Sequence, residues 1–131
     1  MNRRDFMAVS SLSLAASAIQ GVGEAHAECA IAPPPADSTT IILQMTAKPG
    51  REEEFVGVAK DIMKVAHSEG EGCLNFVIYR RVGQPREFVL FEQWRSPSDT
   101  APHLARVRTR FGAALQEMLE PIVSARYEML K

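Results

Sequence analysis

The chain has 131 residues, of which 46% are hydrophobic, and its 15 basic and 16 acidic residues give a formal net charge of −1. A chain of this length is expected to form one small domain. The balanced charge argues against a nucleic-acid partner and favours a domain that binds a small molecule or associates with itself.

Residues 1–27 have the pattern of an export signal. Arg3-Arg4 precede an uncharged run from Ala8 to Ile19, and the segment ends in Ala25-His26-Ala27. This order of basic, apolar and small-residue parts predicts a secretory signal, and the paired arginines are typical of the twin-arginine pathway. The apolar run is too short to span a bilayer. We therefore expect a periplasmic protein with no stable membrane anchor after signal cleavage.

The Pro-rich lead-in at residues 28–38 contains Cys29, and the second cysteine, Cys73, opens an apolar strand. In an oxidising periplasm the two could pair. Alternatively, Cys73 is a small core residue, and the sequence leaves both possibilities open. No Cys-x-x-Cys pair or His/Cys ligand spacing is present, so no metal site is expected.

The domain begins at residue 39 and extends to 131. Residues 39–47 are rich in β-branched side chains and predict a strand, which Lys48-Pro49-Gly50 ends. From Arg51 to about Gly70, apolar residues recur with helical spacing. They are Phe55, Val58, Ala59, Ile62, Met63 and Ala66.

The next two strands, 73–81 and 87–95, form a hairpin around Gly83. In the first strand, alternation places Leu74, Phe76 and Ile78 on one face and Cys73, Asn75, Val77 and Tyr79 on the other. In the second strand, Phe88, Leu90, Glu92 and Trp94 share a face.

A short helix is predicted from Ser96-Pro97, and Pro102 is tolerated only if the longer helix begins near Asp99. Pro121 ends that helix, and residues 122–130 form a last strand. The order βαββαβ predicts an α+β, ferredoxin-like fold with an antiparallel sheet. One face of the sheet would remain apolar and uncovered in a monomer, which favours a homodimer.

Glu92, Trp94 and His103 form a candidate site, because a carboxylate, an indole and an imidazole lie within about a dozen residues. The carboxylate and the indole are costly to bury without partners. His103 ionises near neutral pH. Structural roles compete with this interpretation. Glu92 could pair with an arginine of the partner chain, Trp94 could be a core residue or a pocket wall, and His103 could cap a carbonyl or face solvent.

Four motifs in register resemble the antibiotic-biosynthesis monooxygenase domain of the dimeric α+β barrel superfamily. The resemblance spans nearly all of the domain and implies that fold. The motifs are Lys48-Pro49-Gly50-Arg51-Glu52-Glu53-Glu54-Phe55, Glu69-Gly70-Glu71-Gly72-Cys73-Leu74 with Phe76, Phe91-Glu92-Gln93-Trp94, and His103-Leu104.

The resemblance implies a cofactor-independent monooxygenase that oxidises a quinol-like or phenolic aromatic with O₂, with neither metal nor flavin. His103 would be the base, Arg80 or Arg106 would offset a phenolate, and Glu92 would be a structural signature of the fold. Candidate substrate-binding residues are Trp94, Asn75, Gln44, Tyr79, Phe55, Met63 and Phe111.

Two alternatives stay open. Haem-binding or haem-degrading relatives use an Asn on the first strand together with a Trp and a His, whereas this chain has Gln44 or its neighbours at that place. A non-catalytic barrel that binds a small molecule, or a stress-related one, is the other alternative, because a fold does not settle a function.

Overall fold

A computed structural model describes residues 32–130. The predicted βαββαβ order is confirmed. The elements are β1 (Thr39–Thr46), α1 (Glu52–Glu69), β2 (Cys73–Arg80), β3 (Glu87–Trp94), a short 3₁₀ helix (Pro97–Asp99), α2 (Thr100–Met118) and β4 (Val123–Tyr127). The last strand is shorter than predicted. The predicted export signal and Cys29 lie outside the described residues, so the export signal remains a prediction.

The four strands form one antiparallel sheet in the order β2-β3-β1-β4. This is the order of a ferredoxin-like α+β fold, as predicted. The apolar stripe of α1 and the end of α2 pack on one face of the sheet and form the core with residues of β1, β2 and β3. We call this the inner face and its opposite the outer face. Within residues 32–130, no helix is long and apolar enough to cross a membrane.

The ends of the helices follow from local chemistry. Pro102 is the third residue of α2, where the backbone N–H has no helical partner to lose, so the predicted start near Asp99 is confirmed. Gly72 has φ 78°, and a Cβ at that position would meet the Asp99 carboxylate. The connection into β2 therefore requires glycine.

A β-bulge at the start of β2 changes the face of one predicted residue. Cys73 pairs with Trp94 and Asn75 with Gln93, so the register shifts between them. The extra residue turns Cys73 to the inner face, where it packs against the core. The prediction that Cys73 shares a face with Asn75 is therefore wrong. Whether Cys73 pairs with Cys29 stays open, because Cys29 lies outside the described residues.

The outer face is crossed by rows of paired residues. The central row is apolar and contains Val77, Phe91, Ile42 and Ala125. The row on one side contains Tyr79, Val89, Gln44 and Val123, and the row on the other contains Asn75, Gln93, Thr40 and Tyr127. No element of the described chain covers this face, because both helices pack on the inner one.

Candidate active site

A cavity of about 530 Å³ lies between the inner face of the sheet and the helices. Most of its lining is apolar, and a pocket of this size and character suits a small organic ligand. Representative lining residues are Ile41, Leu43 and Leu90 of the sheet, Phe55 of α1, and Leu104 and Val107 of α2.

His103 enters this cavity from the first turns of α2 and is only 5% exposed. Its ring lies 5.0 Å from the ring of Trp94, at an interplanar angle of 39°, and 5.0 Å from the ring of Phe76, edge to face. The short helix after β3 brings these rings together, because it turns the chain back over the strand that carries Trp94. The imidazole is thereby fixed between two aromatic walls.

The imidazole of His103 has a buried nitrogen, Nδ1, with no hydrogen-bond partner among the described residues. Such atoms are uncommon in folded proteins and call for an explanation. Burial, together with the nearby positive charge of Arg106, lowers the pKa of His103 below its ordinary value. At neutral pH the ring is therefore neutral and able to accept a proton.

The buried polar groups of Glu92 and Trp94 are hydrogen-bonded to each other. As alternate residues of β3 they share the inner face, and the indole Nε1–H donates a hydrogen bond of 3.0 Å to Oε2 of Glu92. Burial raises the pKa of Glu92, and the hydrogen bond from Trp94 opposes that effect. The carboxyl group lines the cavity rather than the outer face, so it does not point towards a partner that would cover the outer face.

The other predicted binding residues are divided between the two faces. Phe55 lines the cavity, whereas Met63 and Phe111 pack against the core without lining it. Trp94 is itself a fully buried core residue and does not line the cavity, so it is not placed to contact a ligand there. Gln44, Asn75 and Tyr79 lie on the outer face, because their paired neighbours are Val89 and Gln93, the outward residues of β3. The structure therefore does not bring these three residues together with His103.

The two arginines proposed to offset a phenolate are engaged elsewhere. Arg80 donates to Glu53 at 2.8 Å, and Arg106 lies 3.8 Å from a carboxylate oxygen of Glu69. Neither lines the cavity.

Two other arginines, Arg108 of α2 and Arg126 of β4, line the cavity instead. Sequence reasoning missed both of them. The available signal was helical spacing, since Arg108 follows the cavity residue Leu104 by one turn. No group of three or more His, Cys, Asp or Glu side chains that could hold a metal ion occurs in the part of the chain described.

The sequence model of the family described as antibiotic biosynthesis monooxygenase matches residues 38–110. The chain belongs to this family. The matched segment contains Glu92, Trp94, His103 and Arg108, and it ends before β4. Among curated proteins, no sequence matches the chain significantly.

Solved structures share the fold of this monooxygenase-family chain. PA3566 from Pseudomonas aeruginosa aligns over 76% of this chain and all of its own, with a TM-score of 0.68 and 20% identity. A variant of SnoaB, a cofactor-independent oxygenase from Streptomyces nogalater, aligns over 73% of this chain and 96% of its own, with a TM-score of 0.64 and 16% identity. Identities this low support the fold, whereas function must be argued from the site.

Proposed function

We propose that this protein is a cofactor-independent monooxygenase that oxidises a phenolic or quinol-like aromatic with O₂. The observation that carries the proposal is the buried, neutral imidazole of His103, which lines an apolar cavity. A base of this kind is what the activation of a phenol requires, because the phenolate reduces O₂ far more readily than the phenol does.

The cavity supplies the other requirements of this chemistry. Its apolar walls suit an aromatic body and exclude water, which protects reactive intermediates. Trp94 fixes the angle of the imidazole by ring packing, and its own orientation is fixed by the hydrogen bond to Glu92. Glu92 and Trp94 are in this proposal positioning residues, and His103 is the catalytic residue.

The proposed reaction consumes one phenolic substrate and one O₂. His103 removes the phenolic proton, and the resulting anion donates electrons to O₂ as a bond forms between a ring carbon and oxygen. After protonation by the imidazolium, the O–O bond breaks. One oxygen atom stays on the ring as a carbonyl and the other leaves as water. The substrate supplies all four electrons, so that a phenol and O₂ give a quinone and water.

The two alternatives use the same cavity differently. A non-catalytic barrel would bind an aromatic ligand and leave it unchanged, so turnover separates it from the oxygenase. A haem site of the kind that uses a first-strand amide is disfavoured by the position of Gln44 on the outer face, away from His103 and Trp94.

An oxygen-electrode screen tests the proposal. We expect the purified chain, without added cofactor, to consume O₂ with at least one member of a panel of phenols and quinols. With ¹⁸O₂, mass spectrometry should find one labelled oxygen in the quinone product. Binding of the panel without O₂ consumption would favour the non-catalytic alternative, and a Soret band after haem addition would favour the haem alternative.

We propose that the outer face is covered by a second copy of the chain, giving a homodimer. The central row of Val77, Phe91, Ile42 and Ala125 is apolar, and Tyr79 and Tyr127 beside it are 57% and 50% exposed. Two sheets packed through such faces would bury these side chains. Sedimentation velocity at micromolar concentration should give a dimer, and Phe91→Glu should give a monomer. A monomeric wild-type chain would contradict the proposal.

We further propose export to the periplasm by the twin-arginine pathway, supported by Arg3-Arg4 and the apolar run that follows them. Fractionation of cells that express the full chain should place it in the periplasm. Replacement of both arginines by lysine should retain it in the cytoplasm.

A further inference from the structure

Most arginines of the described chain are held by another group. Of the nine within residues 32–130, seven bind a carboxylate or a backbone carbonyl. The pairs are Arg51 with Glu54, Arg80 with Glu53, Arg81 with Glu87, Arg95 with Asp99, Arg106 and Arg110 with Glu69, and Arg86 with the carbonyl of Ala47. The two without such a partner in this part of the chain are Arg108 and Arg126.

These two arginines are also the ones that line the cavity, and they reach it from different elements. Arg108 lies on the cavity side of α2, one turn after Leu104. Arg126 lies on β4 opposite Ile41 of β1, and Ile41 pairs on its other side with Glu92. Arg126 and Glu92 are therefore two strand spacings apart on the inner face, about 10 Å.

The lining offers these cations little internal compensation. Glu92 is the acidic residue among the lining side chains, and its carboxyl group is engaged by Trp94. Gln116 and Ser124 add neutral hydrogen-bonding groups to the lining. The lining thus combines two cations and neutral polar groups with walls that are mostly apolar.

We propose that the cavity binds an aromatic ligand that carries an anionic substituent, such as a carboxylate, and that Arg108 and Arg126 hold this substituent. Guanidinium groups match the geometry of carboxylates and bind them through paired, charge-assisted hydrogen bonds. This inference rests on the proposed function in one respect only, namely that the phenolic end of the ligand is the end that reacts.

Calorimetric titration of the full chain with two probes tests the inference. The probes are 6-hydroxy-2-naphthoic acid and 2-naphthol, which share the same bicyclic phenol and differ in the carboxylate. We expect the acid to bind at least about ten-fold more tightly than the naphthol, because the carboxylate gains charged hydrogen bonds. The preference should fall as salt is raised.

In the double variant Arg108→Gln/Arg126→Gln, the affinity for the acid should fall to that for the naphthol, which should itself change little. Arg110→Gln is the matched control. It removes the same charge from α2, but Arg110 is held by Glu69 and does not line the cavity. The acid preference should persist in this control.

Three outcomes would overturn the inference: equal binding of both probes by the wild type, a preference for the acid that survives the double substitution, or no binding of the acid at millimolar concentration. Because the titration is carried out under nitrogen, its readout is binding alone and is independent of turnover. If the double variant loses the preference while no aromatic supports O₂ consumption, the arginine site stands and the oxygenase proposal fails.

Discussion

His103→Ala should reduce O₂ consumption with the best phenolic substrate by about 10²–10⁴-fold, the range that a general base contributes. The substitution removes the group that takes the phenolic proton, whereas the apolar walls that bind the aromatic remain. Substrate affinity, measured by calorimetry under nitrogen, should therefore change far less than the rate. Imidazole added to the buffer should restore part of the activity by entering the space that the side chain leaves.

The pH profile gives a second readout of the same residue. Because burial lowers the pKa of His103, the ring stays neutral to lower pH than a free histidine would. The wild-type rate should hold as pH falls past about 6.5, the ordinary value, and decline only below it. The residual rate of His103→Ala should lack this limb. Glu92 also titrates at the cavity, and burial raises its pKa. The same pH profile measured for Glu92→Gln separates the contribution of this carboxyl group from that of His103.

His67→Ala is the matched control, since it removes an imidazole from an exposed position on α1. Its Nε2 lies 2.8 Å from the carbonyl oxygen of Phe76, and its side chain does not line the cavity. Circular dichroism should show all three proteins folded. Equal loss of activity in both histidine variants, or full activity in His103→Ala, would contradict the assignment of His103 as the base.

Local sequence patterns were sufficient to predict the order of the elements and the close approach of Glu92, Trp94 and His103. Alternation in β3 places Glu92 and Trp94 on one face, and the Ser-Pro start after it places His103 close by. Each of these inferences depends on neighbours within a dozen residues. The family resemblance, carried by the same residues, is confirmed by the match over residues 38–110.

Alternation could not show which face of the sheet the helices cover. Asn75, Gln44 and Tyr79 are polar residues on strands. Alternation shows which residues share a face with each of them, but not whether that face is the inner or the outer one. The strand pairing together with the packing of the helices answers this question, and both depend on contacts distant in sequence. The bulge at Cys73 is a second reason why the faces could not be predicted in full, because one inserted residue reverses the alternation locally.

The arginines were missed for an energetic reason. Arg106, Arg108 and Arg110 alternate along α2, and charges on a helix are usually solvated, so the sequence predicts surface charges at all three despite the helical spacing of Arg108 from Leu104. In the structure Glu69 of α1 forms salt bridges with Arg106 and Arg110, whereas Arg108 lines the cavity. The distinction depends on where α1 lies against α2. That packing places one carboxylate between two arginines and leaves the third without a carboxylate partner in the described part of the chain.

Gly112→Leu should strongly weaken ligand binding and stabilise the fold. Gly112 lines the cavity from the middle of α2, and a Cβ built at this position has nothing within 4 Å. Glycine inside a helix costs about 1 kcal/mol relative to a good helix former. The cost is understandable if the open space at this position is reserved for the ligand. A leucine there would fill that space with apolar atoms.

The affinity for 6-hydroxy-2-naphthoic acid should fall more than about 100-fold in this variant, because each buried side chain of this size occupies the volume of several ligand atoms. The free energy of unfolding should rise by roughly 1–3 kcal/mol, from helix propensity and apolar burial together. Calorimetry and thermal unfolding measure the two effects on the same sample. Gly112→Ala should give the gain in stability with a much smaller loss of affinity.

Gly57→Leu provides the matched control for propensity. Gly57 is an exposed residue of α1 with nothing within 4 Å of its built Cβ, and it does not line the cavity. The same substitution there should stabilise the helix and leave ligand affinity unchanged. If Gly112→Leu bound the ligand as well as Gly57→Leu does, the ligand would lie elsewhere, and the roles given to His103 and to the cavity arginines would fail with it.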